Sequence, residues 1–237
     1  MNVSTVMDDN ILSLNTISKT FVGLKAVSDV SFNVASGSLT ALIGPNGAGK
    51  TTLFALISGF IKPDSGKVIY KGEDITGHPP FDNASKGLTR TFQIVQPFAG
   101  QTVLENVAVG AHLHHSKRSH ALEYAQDVIE KMGLQTHTHK QSGELTIAFR
   151  KRLELAKALA TKPQLILLDE VLAGLNPKDV YDFGAYSYSP FLRANLPSVD
   201  IAIYLCSRSI LIKCIYDLWS GNCLDFSIFL FKSCTST

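Results

Sequence analysis

The chain has 237 residues, with 22 Lys and Arg against 20 Asp and Glu and a formal net charge of +2. A charge balance this even provides no basic footprint for nucleic acid, so we expect no nucleic-acid partner. The length fits one α/β domain with a sizeable core and a smaller helical insert, and it disfavours a second full domain.

Residues 1–10 form a polar, acidic N-terminal tail. They lack the basic start and apolar core of a secretory signal, so we expect the chain to stay in the cytosol. The most apolar region, residues 201–219, carries Arg208, Lys213 and Asp217 and is a poor candidate for a spanning helix. Any membrane association is therefore expected to be peripheral, through a partner.

The first predicted elements are strands. Residues 11–21 and 27–34 carry partly alternating apolar and β-branched residues on either side of Gly23, which predicts a hairpin. Residues 38–43 are predicted as a third strand and residues 67–70 as a fourth. We expect an N-terminal antiparallel β subdomain in this part of the chain, with residues 38–43 leading into the loop that follows.

A phosphate-binding loop follows the third strand and precedes a helix-like segment. It matches GxxxxGK[ST] at every fixed position and consists of Gly44, Pro45, Asn46, Gly47, Ala48, Gly49, Lys50, Thr51 and Thr52. Its glycines let backbone N–H groups turn toward phosphate oxygens, and the start of the following helix favours the same negative charge. Lys50 is expected to reach the β- and γ-phosphates, and the Thr51 hydroxyl to ligate Mg²⁺. The loop predicts binding of a nucleoside triphosphate.

A helical insert is predicted at about 100–160. Apolar residues at helical spacing indicate helices over 103–109 and 121–132, and residues 149–160 form a third, basic and amphipathic one. Six histidines lie in this region: His112, His114, His115, His120, His137 and His139. They stand among Ser, Lys and Arg, which favours a solvated loop over a metal site.

Residues 87–93 are predicted as a strand that ends in a loop, and residues 164–168 as a short strand that is fully apolar over 165–168. A fully apolar strand is typical of a parallel sheet covered on both faces. Asp169 and Glu170 end this strand, where phosphate-loop enzymes hold the carboxylate that orients Mg²⁺. Glu170 is the candidate base for an attacking water; a plain surface turn is the alternative for the pair.

Several motifs in this order resemble an ABC-transporter ATP-binding subunit. They are Phe21, residues 44–52, Gln93 in Thr-Phe-Gln, residues 145–154, residues 167–170 and residues 173–176. Residues 87–93, followed by 102–107, resemble more narrowly an ATPase subunit of the branched-chain amino-acid uptake transporters. The resemblance covers residues 11 to about 179.

The resemblance implies an α/β phosphate-loop NTPase core over residues 11–180, with ATP and Mg²⁺ as cofactors. Phe21 is then the residue that stacks on adenine, and Gln93 contacts both Mg²⁺ and the attacking water. The implied catalytic residues are Glu170, Lys50 and Gln93, and the implied metal ligands are Thr51, Gln93 and Asp169. The implied partners are a second ATP-binding subunit, membrane permease subunits and, indirectly, a solute-binding protein, at the cytoplasmic face of the cell membrane.

The family signature Leu-Ser-Gly-Gly-Gln is altered here. It aligns with residues 145–149, where Thr146 keeps a hydroxyl while Ile147 and Ala148 replace the two glycines. In an ABC dimer this segment covers the ATP held by the opposite subunit, so added side chains are expected to weaken that contact. Val171 also replaces the usual proline.

Residues 181–237 do not match the family, so the C-terminal part is expected to be incomplete or aberrant. They contain all four cysteines and the only tryptophan, and beyond Glu170 the chain has no His, Glu, Gln or Met. The family's switch histidine is therefore missing. A reading-frame slip near residue 180 explains the change in composition; an unusual C-terminal module is the alternative. We expect this tail not to complete the sheet in the family's manner and to be loosely packed or irregular.

Three functions stay open from the sequence. The first is an ATP-hydrolysing import subunit, and the second is a catalytically weak ATP-binding module derived from one. The third is another phosphate-loop NTPase, a GTPase or kinase, although the chain lacks an Asn-Lys-x-Asp guanine signal.

Overall fold

The computed structural model describes residues 10–92, 96–169, 200–205 and 226–230, the last two segments through their backbone. Two sheets organise these residues. One is antiparallel and holds the N-terminal strands, and the other is parallel and holds the phosphate-binding loop at one edge.

The antiparallel sheet has four strands. In spatial order they are β2 (Leu24–Ala35), β1 (Asn10–Phe21), β4 (Ser65–Tyr70) and β5 (Glu73–Asp74). The β1–β2 hairpin turns at Val22 and Gly23, with φ angles of 42° and 86°. Two positive φ angles at the turn match the right-handed twist of paired strands. The predicted N-terminal antiparallel subdomain is confirmed.

The second sheet is parallel throughout. In spatial order its strands are β6 (Leu88–Arg90), β7 (Leu165–Leu168), β8 (Asp200–Leu205), β3 (Leu39–Ile43) and β9 (Phe226–Leu230). The carboxyl ends of parallel strands meet at one edge, where ligands of such sheets bind. That edge carries residues 44–52 after β3, Thr91 after β6 and Asp169 after β7.

The helices surround the parallel sheet. They are α1 (Lys50–Ile57), α2 (Pro80–Ser85), α3 (Val103–Ala111), α4 (Arg118–Lys131) and α5 (Ile147–Ala160), with 3₁₀ turns at Gln135–His137 and Ser142–Glu144. The three predicted insert helices are confirmed to within a few residues. Gly110 lets α3 and α5 approach closely, because a Cβ there would lie 2.4 Å from the carbonyl oxygen of Lys157. Among the described residues, no helix has the length and apolar character that crossing a bilayer requires.

β7 is buried on both faces, as its composition predicts. Leu165 and Leu167 pack into a core cluster with the β1–β2 hairpin and α1. Ile166 and Leu168 alternate with them and pack into a second cluster with α3, α4 and α5. Successive side chains of a strand point to opposite faces, so one apolar strand joins the two cores. This burial fixes the position of Asp169 at its end.

The expectation that the tail would be irregular is wrong for two segments. The backbones of β8 and β9 pair in parallel with β3, one on each side. Both segments are short runs of apolar, β-branched and aromatic residues, a composition that suits a buried parallel strand whatever its surroundings. The rest of 181–237, with all four cysteines, lies outside the described residues, and the reading-frame hypothesis and the domain boundaries stay predictions.

Candidate nucleotide-binding site

The loop at residues 44–52 connects β3 to α1. Gly47 and Gly49 adopt φ angles of 79° and 90°, which only glycine adopts without strain. A Cβ on Gly49 would also lie 2.1 Å from the carbonyl oxygen of Ala26 in β2. Within the described structure no side chain caps the start of α1. The first backbone N–H groups of α1 are therefore oriented for an anionic ligand.

Lys50 lies inside this loop. Its side chain is buried, and the residue is only 2% exposed. The Nζ group donates to the carbonyl oxygen of Gly44 at 2.6 Å and to that of Pro45. The loop's own carbonyls thus hold the ammonium at the loop, where an incoming phosphate would meet a full positive charge.

Thr51 and Asp169 join the loop to the end of β7. The Thr51 hydroxyl donates to Oδ1 of Asp169 at 3.3 Å, across 118 residues of sequence. Asp169 has no exposed surface. Hydroxyl and carboxylate oxygens are the ligands that Mg²⁺ prefers, so these two side chains fit the predicted metal.

Asp169 is also bound from β6. An Nη of Arg90 donates to its Oδ2 at 2.6 Å, and the backbone N–H of Asp169 donates to the Thr91 hydroxyl at 3.3 Å. The backbone N–H of Thr91 donates in turn to the carbonyl oxygen of Leu167 at 2.9 Å. The carboxylate is therefore fixed on one side by α1 and on the other by β6.

Arg90 lies within residues 87–93, which resemble a family motif, but its own role is not evident from the sequence. The sequence signal for such a role is an arginine in β6, since the neighbouring strand β7 is fully apolar. The role of Arg90 depends on the pairing register of β6 and β7, because Arg90 pairs with Leu167, two residues before Asp169.

Phe21 lies at the end of β1, beside the hairpin turn. Its ring is 40% exposed, and Nζ of Lys19 lies 5.6 Å from the ring centroid. Phe21 pairs with Leu24, and Ala26, two residues further along β2, touches Gly49. The hairpin therefore brings an exposed aromatic ring to the neighbourhood of the phosphate-binding loop, although its contact with adenine stays a prediction.

The altered signature segment begins α5. Thr146 is the residue before the helix, and its carbonyl oxygen accepts from the backbone N–H of Arg150 at 2.9 Å. The Thr146 side chain makes no capping bond and is exposed, and Ile147 is 63% exposed. α5 packs into the second core cluster, whereas α1, which contains the end of the loop at 44–52, packs into the first cluster. Thr146 and Ile147 therefore face outward at the start of α5, whereas Leu145 of the same segment is buried in the second core cluster.

Gln93, Glu170 and Val171 lie outside the described residues, as do residues 173–176. Their described neighbours are Phe92 after β6 and Asp169 after β7, two adjacent strands of one sheet. The predicted roles of Gln93 and Glu170 stay predictions.

The histidines of the insert have neighbours of their own. The rings of His137 and Phe149 are tilted by 34° with their centroids 4.1 Å apart, and the ring centroids of His115 and Tyr124 lie 5.3 Å apart. Burial lowers the pKa of both imidazoles below the ordinary value, with nearby cationic side chains acting in the same direction. In the part of the chain that the structure describes, no three metal-binding side chains come together.

The geometry defines a phosphate-loop NTPase, and comparisons with known proteins identify the family. Residues 27–173 match the family model described as ABC transporter. The high-affinity branched-chain amino acid transport ATP-binding protein LivG of Escherichia coli K12 is 36% identical over 73% of this chain and 74% of its own length. BraF of Pseudomonas aeruginosa, which carries the same description, is 37% identical over 76% of each chain.

Solved structures of ATP-binding cassettes also resemble this chain. The ATP-binding cassette MJ1267 in its ADP conformation superposes with a TM-score of 0.75 and 31% identity, over 86% of this chain and 84% of that one. CbiO1 from Clostridium perfringens, at 24% identity and a TM-score of 0.76 over 87% of this chain and 82% of that one, shares the fold. The chain belongs to the ABC-transporter family of ATP-binding subunits. This membership removes the GTPase and kinase alternatives.

Proposed function

We propose that this chain binds ATP with Mg²⁺ at residues 44–52 and hydrolyses it to energise an ABC importer. The observation that carries the proposal is the 3.3 Å contact between the Thr51 hydroxyl and the fully buried Asp169 carboxylate. It brings a hydroxyl from the start of α1 and a strand-end carboxylate to one point beside Lys50. These are the three side chains that a phosphate-loop ATPase needs around the terminal phosphates.

The described side chains have separate roles in this proposal. Lys50 binds the β- and γ-phosphates and offsets charge that builds up on them during transfer. Thr51 and Asp169 hold the metal. When bound, Mg²⁺ neutralises phosphate charge and orients the terminal phosphate.

Four further residues have roles in this proposal. Glu170 accepts the proton of the attacking water, as general base. Gln93 contacts that water and the metal, and Phe21 stacks on adenine at an energy of about 1–3 kcal/mol. Thr146 contributes its hydroxyl to the ATP held by the second ATP-binding subunit.

The transported solute is proposed from the relatives. LivG and BraF are described as branched-chain amino acid transport proteins, and the chain matches about three quarters of each. We therefore assign branched-chain amino acids as the cargo class. The partners are a second ATP-binding subunit, permease subunits and, indirectly, a solute-binding protein, with this chain peripheral at the cytoplasmic face of the membrane.

Uptake of labelled leucine tests this function. The chain is expressed in bacteria that lack the related ATP-binding subunit but keep the permease and solute-binding protein. Restored uptake with the wild type, and none with Glu170→Gln at equal abundance, supports the proposal. Equal uptake with both proteins contradicts it.

A second function, a catalytically weak ATP-binding module, is favoured by Ile147. This β-branched residue is 63% exposed at the start of α5, where the family has a glycine that allows close backbone approach. Nucleotide affinity and turnover measured separately distinguish the two functions. Tight ATP binding without hydrolysis, in the presence of the partner subunits, identifies the weak module.

A further inference from the structure

The ion pair between Arg90 and Asp169 is almost fully enclosed. An Nη of Arg90 lies 2.6 Å from Oδ2 of Asp169, and the two side chains are 7% and 0% exposed. The guanidinium carbon also lies 5.6 Å from the centroid of the Phe92 ring. Arg90 is thus held between an aromatic face and the carboxylate, and its Nε is buried without a hydrogen-bond partner.

A carboxylate with no solvent contact is costly unless charge and hydrogen bonds compensate it. The Thr51 hydroxyl contacts Oδ1 as a neutral donor, while Arg90 brings a full positive charge to Oδ2. The two carboxylate oxygens of Asp169 therefore face different donors. Oδ2 faces a permanent cation from β6, and Oδ1 faces the hydroxyl from α1 that the proposed metal would join.

We infer that Arg90 is a positioning residue that takes the place of the metal's charge while the site is empty. It holds Oδ2 of Asp169 and leaves Oδ1 directed at Thr51, so that the carboxylate is in place before the nucleotide arrives. This inference rests on the proposed function, since it assigns a role toward the same metal.

The arrangement has a consequence for magnesium. Once the metal is bound, one carboxylate serves two cations, and these repel each other across a poorly solvated space. Arg90 therefore stabilises the empty site and reduces what Mg²⁺ adds to nucleotide affinity. Removing Arg90 takes away the positive charge 2.6 Å from the buried carboxylate, so Mg²⁺ then adds more to nucleotide affinity.

The test measures the ATP affinity of the whole chain with Mg²⁺ and with EDTA. The ratio of the affinity with Mg²⁺ to the affinity with EDTA is then compared between variants. We expect Arg90→Gln to raise this ratio at least tenfold over the wild type, and Arg90→Lys to return it toward the wild-type value. A ratio in Arg90→Gln within twofold of the wild type, or below it, overturns the inference. If the wild type binds no nucleotide at all, the proposed function itself fails.

Two further variants separate charge from packing. Lys157→Met breaks a partly buried ion pair with Glu154 on α5 and should lower the thermal midpoint without changing the ratio. The double variant Arg90→Gln with Asp169→Asn removes both charges, so it should be more stable than Arg90→Gln alone. If that double variant is as unstable as the single one, or neither folds, Arg90 serves packing and the inference is wrong.

Discussion

The Thr51 hydroxyl donates to Oδ1 of Asp169 at 3.3 Å, although 118 residues separate the two in sequence. Thr51 lies in the first turn of α1 and Asp169 directly follows β7, so neither element supplies both side chains by itself. Their meeting depends on the parallel sheet, which places the ends of β3 and β7 at the same edge.

Lys50→Ala should weaken ATP binding by about 10- to 100-fold. The reason is the loss of a charge-assisted contact to phosphate in a poorly solvated loop, worth roughly 1.5–3 kcal/mol. Lys67→Ala is the matched control, because Lys67 is an exposed lysine that pairs with Asp74 on the antiparallel sheet. Titration calorimetry measures both variants. Equal affinities for the two would remove Lys50 from the site.

Gly49→Ala should abolish nucleotide binding and lower stability by more than the roughly 1–2 kcal/mol of a left-handed alanine. Besides its φ of 90°, the new Cβ would lie 2.1 Å from the carbonyl oxygen of Ala26. Gly72→Ala is the control, since Gly72 has a φ of 78° and open space around its Cβ position. The free energy of unfolding, measured with denaturant for both variants, separates the cost of the left-handed φ from the cost of the contact with Ala26. Similar losses in both variants would show that the contact with β2 is unimportant.

Glu170→Gln should leave ATP binding unchanged and abolish hydrolysis. The amide keeps the size of the side chain but cannot accept a proton from water. Turnover and affinity are measured on the same preparation, with the partner subunits present. Hydrolysis at the wild-type rate would assign the general base to another residue.

Replacing Ile147 and Ala148 together by glycine should raise turnover. The exposed Ile147 side chain and the Ala148 methyl group stand where the family has glycines that allow close backbone approach to ATP. Ile147→Ala, which shortens one side chain and keeps a Cβ, is the control and should raise turnover less. The double glycine variant loses up to about 1 kcal/mol per residue in helix stability, so the thermal midpoint is recorded as well. Unchanged turnover would place the limitation elsewhere, such as at the missing switch histidine.

Much of the fold and site could be predicted because the signals are local. The loop at 44–52 is defined by residue types at fixed spacing, and the four apolar residues of β7 indicated burial on both faces, which the two core clusters confirm. Arg90 could not be assigned, because its role depends on the register that sets it beside Leu167. β8 and β9 were missed because the composition of the whole tail was judged, whereas strand formation responds to windows of five or six residues.

The central claim is that Asp169 acts with Thr51 to hold magnesium at an ATP site. Its most direct test is the gain in ATP affinity on adding Mg²⁺, measured by titration for the wild type, Asp169→Asn and the exposed-carboxylate control Asp64→Asn. The account predicts a clear gain for the wild type and for Asp64→Asn, and a gain reduced at least tenfold for Asp169→Asn. An undiminished gain in Asp169→Asn would contradict it.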